Sequence, residues 1–501
     1  IAYPYRWCTS IVLTFNIKNM KFVYYISTIA LLLNLSACRK FVEVADPKDE
    51  LASKVVFSSD ATATAAVVGI YADMNAVNYQ FANVLTTFLG SMSADDFVYA
   101  ATFANFDEFK NNAIQPGNPY VATFWSQPYN YIYRANAIIE GAGKSTELSP
   151  AVKNQVMGEA YFIRAFCHFY LVNLFGDVPL ILTADVRKNT NLPRTPKAEV
   201  YASVINDLKL AKDLLVNTYA GNGERTRPNK VAATLMLARA YLYTGQNALA
   251  ETEASNVIAT TGYSLLDNAD PANAAHLSKA FLKNSNETVW QLQVVNLSLG
   301  RNTWEGNTIV PISSPLYRMT KDTYGIIPAF EAGDRRLAYW VNTYAAPATP
   351  TNILYYPYKY KVRVGTVGSP ATEYSMVLRF SEAFLIRAEA RIQQQKYDLG
   401  RDDLNVIRRR AGLSDLTSPT SVATGMAKVE QERRVELFCE WGHRWFDLKR
   451  WPSTTGAAGK TRADDILPLT KPAWKSTAQL FPIPTEAIRS NVNLTPNPGY
   501  N

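Results

Sequence analysis

The sequence between Val231 and Ile258 places two amphipathic helices on either side of Gly245, and this pattern constrains the fold more than any other. Small residues recur where the two helices would approach each other closely, and the glycine falls where the chain must turn. The offsets match those of a tetratricopeptide repeat at six positions, namely Leu237, Ala238, Tyr241, Gly245, Ala250 and Ala254. The sequence therefore predicts a helical-hairpin repeat at this point of the chain.

Two further helix pairs follow from the same periodicity. A weaker copy of the hairpin covers residues 379–411, with Ala388 at the small packing position of its first helix and Gly400 on its second. A third pair is more widely spaced, because a proline-bearing insertion separates the helix predicted over residues 155–175 from the helix over residues 199–216. Together these patterns predict a mainly α-helical protein.

Composition argues against several classes of function. The 501 residues are 48% hydrophobic and only 19% charged, which is enough apolar material for a large buried core. Three histidines leave little material for a histidine-based metal or acid–base centre, and the four cysteines show no zinc-binding spacing. The net charge of +8 arises from 51 basic and 43 acidic residues without a long basic run, so nucleic-acid binding has little support. We expect neither a metal nor another cofactor.

The N-terminal segment has the pattern of an export signal. An uncharged stretch over residues 22–35 follows a basic start at Met20-Lys21, and Leu35-Ser36-Ala37-Cys38 forms a lipobox. The stretch is too short to span a ~30 Å hydrocarbon core comfortably as a helix. A basic start, a short apolar region and small residues are typical of a cleaved signal peptide.

Cleavage at the lipobox would define the mature N-terminus. Residues 1–37 would comprise upstream sequence, a true start at Met20, and the signal peptide. Residues 38–58 would form a lipid anchor on Cys38 followed by a tether, since two or more acyl chains anchor a protein stably. The alternative is a membrane-associated N-terminal helix in which the cysteine is coincidental.

Two cysteines after the anchor could in principle form a disulfide, because export places them in an oxidising compartment. They are Cys167 and Cys439, and each lies in an apolar helical segment. Cysteines in such surroundings are more commonly buried as free thiols. We therefore expect two free thiols.

Long segments rich in Asn, Thr, Gly, Pro and aromatic residues separate the helical hairpins. They cover roughly residues 78–125 and 265–375, and loops of such length usually carry function or are disordered. Their aromatic content favours order. The helical hairpins would thus form one face of the protein and the long connecting segments another. Apolar and polar residues alternate over residues 288–295 as in a strand, but the sequence does not assign a sheet.

Several short motifs lie along the chain. They are AYFIRA at residues 160–165, LFGDVPL at 174–180, LRFSE at 378–382 with AEA at 388–390, ERRVELF at 432–438, WGHRWFDLKRW at 441–451, LFPIPTE at 480–486 and NPGY at 497–500. In sequence and in order they resemble the motifs of the SusD/RagB family. With the lipobox, the resemblance covers nearly the whole chain that follows Cys38.

The resemblance implies a SusD-like fold, in which about four tetratricopeptide-like hairpins support an irregular, loop-rich ligand-binding region. It divides the chain into an N-terminal helical-repeat region over residues 59–265 and a C-terminal SusD/RagB region over residues 266–501. The implied protein is a surface-exposed outer-membrane lipoprotein of Bacteroidetes-type bacteria that captures a nutrient, most often an oligosaccharide. It would deliver this ligand, unchanged, to a SusC-like TonB-dependent transporter, over whose barrel it would sit as a lid.

The charged residues of the signature motifs are expected to be structural. They recur at helical spacing and comprise Glu432, Arg433, Glu436, Arg444 and Asp447. Oppositely charged side chains at such spacing can pair with one another. We therefore expect a charge network there rather than a ligand site.

Two loop segments combine aromatic rings with planar polar side chains, as sugar recognition requires. The first contains Asp95, Asp96, Tyr99 and Phe106, and the second contains Arg301, Asn302 and Trp304. The SusD ligand site is likewise assembled from an early loop and a mid-chain loop, so the resemblance supports both segments. Trp304 is the strongest single candidate for stacking on a sugar ring. The alternative for Asp95 is a structural role, in which it caps a helix or binds loop backbone.

A second aromatic cluster offers a different kind of surface. It consists of Trp340, Tyr344, Tyr355 and Tyr356. Because tyrosine and tryptophan are enriched at protein interfaces, this cluster could face the transporter instead of the ligand.

An enzymatic function has little support. The acidic pairs Asp95-Asp96 and Asp464-Asp465 invite comparison with a glycosidase, but its two carboxylates must flank the scissile bond from opposite sides. Adjacent residues do not identify such a pair. The sequence contains neither H-E-x-x-H nor G-x-S-x-G, so a zinc protease and an α/β-hydrolase also lack support.

Two non-enzymatic alternatives remain open. Some members of the family take up oligopeptides, and a peptide site would depend more on backbone hydrogen bonds and less on exposed aromatic platforms. A tetratricopeptide scaffold would bind a protein partner on its concave face without any small ligand. The aromatic loops favour a sugar over both.

Overall fold

α-Helices are the main regular elements of the computed structural model, which describes residues 54–294 and 300–500. The predicted signal peptide, the start at Met20, the acylation site at Cys38 and the tether as far as residue 53 lie outside these residues. The helices are α1 (Asp60–Met74), α2 (Gly90–Ser93), α3 (Ala104–Lys110), α4 (Pro119–Lys144), α5 (Pro150–Phe175), α6 (Val186–Asn189), α7 (Lys197–Leu214), α8 (Lys230–Tyr243), α9 (Asn247–Ile258), α10 (Trp304–Ile309), α11 (Arg335–Trp340), α12 (Ser381–Gln393), α13 (Tyr397–Arg410), α14 (Val422–Glu436), α15 (His443–Arg450), α16 (Arg462–Ile466) and α17 (Thr485–Ser490). The predicted mainly α-helical fold class is confirmed.

The helix pairs predicted from the sequence all form. Helices α8 and α9 pack together and are joined at Gly245, whose positive φ of 72° suits a residue without a side chain. Helices α12 and α13 form the second pair, and α5 packs against α7 as the widely spaced third pair. A Cβ atom on Gly400 would lie 2.8 Å from the side chain of Ile392 and 3.0 Å from the carbonyl oxygen of Ala388, so only glycine permits this close approach.

The irregular part is held together by three two-stranded antiparallel sheets. Strand β1 (Phe97–Tyr99) pairs with β3 (Tyr317–Met319), β2 (Thr288–Leu292) with β6 (Ser375–Arg379), and β4 (Val341–Ala346) with β5 (Thr349–Pro357). The strand suggested by the alternation at residues 288–295 forms over Thr288–Leu292, although all five of its side chains are buried. Its partner lies far away in the sequence, and local periodicity does not identify such a partner.

The early loop segment is less irregular than its composition predicts. Residues Phe81–Leu89 form a π-helical segment that continues into α2, and all of its side chains are buried. The expectation of one long loop over residues 78–125 is therefore wrong for residues 81–93. Its apolar side chains, including Phe81 and Phe88, belong to the main hydrophobic core.

The two regions predicted to meet at residue 265 share one core. Helix α9 packs against α12. Between the hairpins, Arg239 Nη2 lies 2.6 Å from Glu382 Oε2, and both side chains are almost fully buried. The boundary between residues 265 and 266 stays a prediction about sequence regions.

Both cysteines in the described part of the chain are buried free thiols. Cys167 lies within α5, and Cys439 lies between α14 and α15. Burial raises the pKa of the Cys439 thiol well above its ordinary value. The expectation of free thiols is confirmed for Cys167 and Cys439.

Candidate ligand-binding site

Strand pairing brings the early and mid-chain segments together. In the β1–β3 sheet, Phe97 lies opposite Met319, and Tyr99 lies opposite Tyr317. The pairing extends beyond the strand ends, because the amide of Ala100 donates to the carbonyl oxygen of Leu316 at 2.8 Å. The mid-chain segment that pairs with Tyr99 is therefore residues 317–319, which does not include the candidates Arg301, Asn302 and Trp304.

Six aromatic side chains collect around this sheet, and we call them the aromatic patch: Tyr79, Tyr99, Phe103, Phe106, Tyr120 and Tyr317. The Phe106 ring lies at the centre, with ring centroids 4.8 Å from Phe103, 5.0 Å from Tyr99 and 5.2 Å from Tyr120. Phe106 is buried, whereas Phe103 is 41% exposed, and Tyr79, Tyr99 and Tyr120 are half-buried. The patch thus presents ring surface to solvent over a packed aromatic base.

Polar groups beside the aromatic patch are available to a ligand. Asn105 and Asp107 lie on α3 next to Phe103 and Phe106, and both are partly exposed. Neither side chain makes a hydrogen bond to another residue of the described chain. Burial raises the pKa of Tyr79 to about 12, so its phenol keeps its proton at neutral pH.

Asp95 and Asp96 directly precede β1, where they are buried and bind arginines. Both carboxylate oxygens of Asp95 accept from Arg444, at 2.9 and 3.0 Å, and Arg434 Nε donates to Asp96 Oδ1 at 2.9 Å. Burial disfavours ionisation of Asp95, but the charges of Arg434 and Arg444 outweigh it and hold its pKa below the usual range. Burial and the charge of Asp95 together raise the pKa of Asp96 to about 6.

These ion pairs give the two aspartates a positioning role. The backbone carbonyl of Asp95 accepts from Thr320 Oγ1 at 2.8 Å, so the same residue joins the start of β1 to the end of β3. Arg444 also contacts Glu430 at 2.9 Å and thereby ties the segment to α14. The structure does not expose Asp95 or Asp96 to a ligand. The Asp95 side chain has a structural role, which it fills through ion pairs with arginines rather than by capping a helix. A direct ligand contact for either carboxylate stays a prediction that this arrangement does not favour.

The signature residues form the predicted charge network. Arg433 Nε lies 2.7 Å from Asp447 Oδ2. Glu432 and Glu436 form a second buried group through Arg336, whose Nη1 lies 2.5 Å from Glu432 and 3.2 Å from Glu436, while Arg444 pairs with Asp95 and Glu430. The structural interpretation of these residues is confirmed.

The mid-chain candidates point into the protein. Trp304 is only 6% exposed, its indole nitrogen donates to the carbonyl oxygen of Asn75 at 3.0 Å, and the Arg301 guanidinium lies 4.5 Å from the ring centroid. Asn302 is buried and donates to Thr372 Oγ1 at 2.9 Å. Neither Trp304 nor Asn302 offers a free surface here, because both hold the loop against its neighbours. Ligand contacts by Asn302 and Trp304 stay predictions that need a different loop conformation, and a contact by the half-buried Arg301 stays a prediction.

Trp304→Ala is therefore expected to destabilise the protein. Removing a buried tryptophan costs about 3–5 kcal/mol of unfolding free energy, since a cavity remains and the carbonyl of Asn75 loses its donor. Denaturant unfolding of the variant checks this, with Trp304→Phe as the control that keeps most of the apolar volume. If Trp304→Ala is as stable as the wild type but binds the glycan more weakly, Trp304 is a ligand contact instead.

Several patch residues were not among the sequence-based candidates. They are Tyr79, Phe103 and Tyr120 from the early segment over residues 78–125, and Tyr317 from the mid-chain segment. The aromatic enrichment of residues 78–125 was the available signal. It does not reveal which rings meet, because that depends on the pairing of β1 with β3.

The second aromatic cluster is partly core. Trp340 is fully buried, and its indole donates to the carbonyl oxygen of Leu277 at 3.2 Å. Tyr356 is also buried, whereas Tyr344 and Tyr355 on the β4–β5 sheet are half-buried. Trp340 and Tyr356 are thus wrong as surface residues, because Trp340 belongs to the main hydrophobic core and Tyr356 is buried, with its ring centroid 6.0 Å from that of Tyr358.

The paired carboxylates are engaged by protein groups. Asp464 accepts from Ser476 Oγ at 2.5 Å and from Trp474 Nε1 at 3.1 Å, and Asp465 accepts from the amide of Thr454 at 2.8 Å. These contacts stabilise the loops around α16. No group of three His, Cys, Asp or Glu side chains within residues 54–294 and 300–500 is arranged to hold a metal ion. None of the described helices combines the length and apolar character needed to cross a bilayer.

Comparison with known proteins identifies the family. Residues 183–500 match the profile of the SusD family, and residues 40–242 match a profile described as starch-binding associating with outer membrane. A SusD-like protein P2 of Formosa agariphila is 29% identical over 95% of this chain and 99% of its own. The crystal structure of a SusD-like protein from Bacteroides fragilis superposes with a TM-score of 0.72 at 21% identity, covering 91% of this chain and 100% of the other. A structure described as a laminarin binding SusD-like protein gives a TM-score of 0.70 at 22% identity, over 88% and 99% of the two chains. The chain belongs to the SusD/RagB family, a family described by starch binding and by association with the outer membrane.

Proposed function

We propose that this protein captures an oligosaccharide at the aromatic patch and delivers it to a SusC-like TonB-dependent transporter. The observation that carries the glycan assignment is the exposed ring of Phe103 with Asp107 one helical turn further along the chain, where its backbone amide donates to the carbonyl oxygen of Phe103 at 2.9 Å. The Asp107 side chain makes no hydrogen bond within the described residues, and Asn105 on the same helix is also partly exposed. A sugar ring presents an apolar C–H face and polar hydroxyls at its edge. An aromatic face beside planar hydrogen-bonding groups matches both features.

The site is built for binding rather than catalysis. The carboxylate of Asp95 is neutralised by Arg434 and Arg444. The carboxylates of Asp464 and Asp465 accept hydrogen bonds from neighbouring loops. A glycosidase needs a pair of carboxylates on opposite sides of the scissile bond. We therefore propose that the ligand leaves the protein chemically unchanged.

The same proposal includes attachment to the outer membrane on the exterior side. The lipobox ending at Cys38 would supply the acylated anchor, and residues 38–58 the tether that allows the protein to act as a lid over the transporter. The family description of outer-membrane association supports this location. Radiolabelled palmitate incorporation that is lost in Cys38→Ala would support the anchor.

Isothermal titration against a panel of glycans tests the function. The acylated protein in a sugar-free detergent would be titrated with oligosaccharides of starch, laminarin, xylan and pectin, and with mixed oligopeptides. Laminarin belongs in the panel because one structural neighbour is described as binding it. Heat from one glycan class without product formation supports the proposal. Heat from peptides alone would favour the peptide-importing alternative, and binding of a protein partner in the absence of any ligand would favour a scaffold.

A further inference from the structure

A groove separate from the aromatic patch lies along helix α4. It has a volume of about 340 Å³, at the small end of the range for small-molecule sites. Three of its lining residues, Trp125, Tyr129 and Tyr133, are spaced four residues apart on α4. Side chains at this spacing lie on one helix face, and each step advances about 6 Å along the axis. The groove therefore has a ladder of rings along one wall.

The ladder is firmly held at its inner end and open at its outer end. Trp125 packs edge-on against Phe175 with ring centroids 5.0 Å apart, and the phenol of Tyr129 donates to the carbonyl oxygen of Pro179 at 2.9 Å. Tyr133 is 41% exposed and makes no hydrogen bond to any other described residue. Across from it, Val186 on α6 is 62% exposed. The inner rings form a preorganised platform, and the outer ring lacks a protein partner.

The opposite wall supplies neutral hydrogen-bonding groups. No charged side chain lines the groove. The amide nitrogen of Asn189 donates to Thr183, and the hydroxyls of Thr190 and Ser490 donate to the carbonyl oxygens of Val186 and Ala487. The oxygen atoms of these three side chains remain able to accept hydrogen bonds. The groove thus fits an uncharged ligand with flat apolar faces that donates through several hydroxyls.

We propose that this groove is a second glycan-binding site, which takes uncharged sugar residues of the same polysaccharide that the aromatic patch binds. This inference rests on the proposed function. Tyr120 of the patch and Tyr129 of the groove are nine residues apart on α4, which corresponds to opposite sides of the helix and about 13 Å of rise. The two sites are therefore distinct, and a long glycan that reaches both would be held by avidity.

An aromatic or apolar groove can also receive a protein, and its chemistry distinguishes the two occupants. A specific protein interface has a core that is likewise rich in aromatic residues, but it buries about 800 Å² on each partner, far more than a groove of this size offers. Here the walls combine three tilted rings with neutral acceptors, and the volume holds a short stretch of sugar rather than a helix or strand. A sugar is thus the better match.

Calorimetry with matched variants at Tyr133 tests the second site. Hexasaccharides of starch, laminarin, xylan and pectin would be titrated into the acylated protein and into Tyr133→Ala and Tyr133→Phe. We expect two glycans per chain for the wild type, about fivefold weaker binding at one of the two sites in Tyr133→Ala, and little change in Tyr133→Phe, which keeps the ring. Equal melting temperatures would exclude a folding defect.

The outcomes separate this inference from the proposed function. One glycan per chain, with binding that weakens in Phe103→Ala but not in Tyr133→Ala, would overturn the second site and leave the patch in place. Weaker association of Tyr133→Ala with the purified transporter, at unchanged glycan binding, would assign the groove to a protein and also overturn the inference. If no glycan binds, both the proposed function and the second site are wrong.

Discussion

We expect Glu436→Gln to lower the free energy of unfolding by about 3–5 kcal/mol, because it removes the shared counter-charge of three buried arginines. The Glu436 carboxylate lies 2.5 Å from Arg379 Nη1 and 3.2 Å from Arg336 Nη1, and it also contacts Arg410. All four side chains are fully buried or nearly so. A neutral glutamine keeps the shape but leaves the arginines with too little negative charge. Denaturant unfolding at neutral pH measures the loss.

The pH dependence of stability provides a second readout of the same residue. Burial disfavours the ionised form of Glu436, but the charges of Arg410, Arg379 and Arg336 outweigh it and hold the pKa well below its ordinary value. A group whose pKa is lowered by folding contributes stability above its unfolded pKa of about 4.3 and loses that contribution as the pH falls through the folded pKa. The acid-side loss of stability should therefore be shallower in Glu436→Gln than in the wild type.

An exposed ion pair supplies the matched control. Glu486 lies 2.7 Å from Arg489, and both side chains are largely exposed, so Glu486→Gln should change the unfolding free energy by less than about 1 kcal/mol. Equal effects of Glu486→Gln and Glu436→Gln would contradict the central position of Glu436. A stable Glu436→Gln with unchanged acid sensitivity would show that the arginines find other partners.

Local periodicity was sufficient to predict the helical scaffold. Two helix pairs were predicted in this way, the hairpin at Gly245 and the pair that carries Ala388 and Gly400. Their helices lie close together in the sequence, so the spacing of apolar and small residues indicates which faces pack. The structural role of the signature charges also followed from their spacing. Their partners did not, because Glu432 and Glu436 pair with Arg336 from the distant helix α11.

The ligand site depends on pairings that local sequence does not reveal. Asp95 lies 349 residues from its partner Arg444 along the chain. The residues next to an aspartate therefore do not reveal whether its carboxylate is exposed or is buried in an ion pair. Trp304 looked like a stacking platform because tryptophan in a polar loop often is one. The structure instead covers its ring with Arg301 and ties its indole to Asn75. The aromatic enrichment of the early loop indicated the region of the candidate site, and the β1–β3 pairing brings Tyr317 to Tyr99 within it.

The largest loss of glycan affinity is expected from Tyr99→Ala combined with Phe103→Ala. Phe103→Ala alone should weaken binding about tenfold, the equivalent of ~1.4 kcal/mol, because it removes the most exposed ring of the patch. The double variant should weaken binding about a hundredfold, since it removes two of the rings that pack on Phe106. Titration of the glycan selected by the panel measures both steps.

The control for this prediction must lose apolar surface without touching the patch. Leu249→Ala on α9 does so, because Leu249 is 46% exposed and lies in the helical scaffold. Its glycan affinity should equal that of the wild type, and the unfolding free energies of Leu249→Ala and Phe103→Ala should be similar. A folded Tyr99→Ala/Phe103→Ala variant that binds the glycan as tightly as the wild type would place the ligand elsewhere. Loss of binding in Phe103→Ala but not in Phe103→Tyr would show that the ring face, rather than the loop backbone, makes the contact.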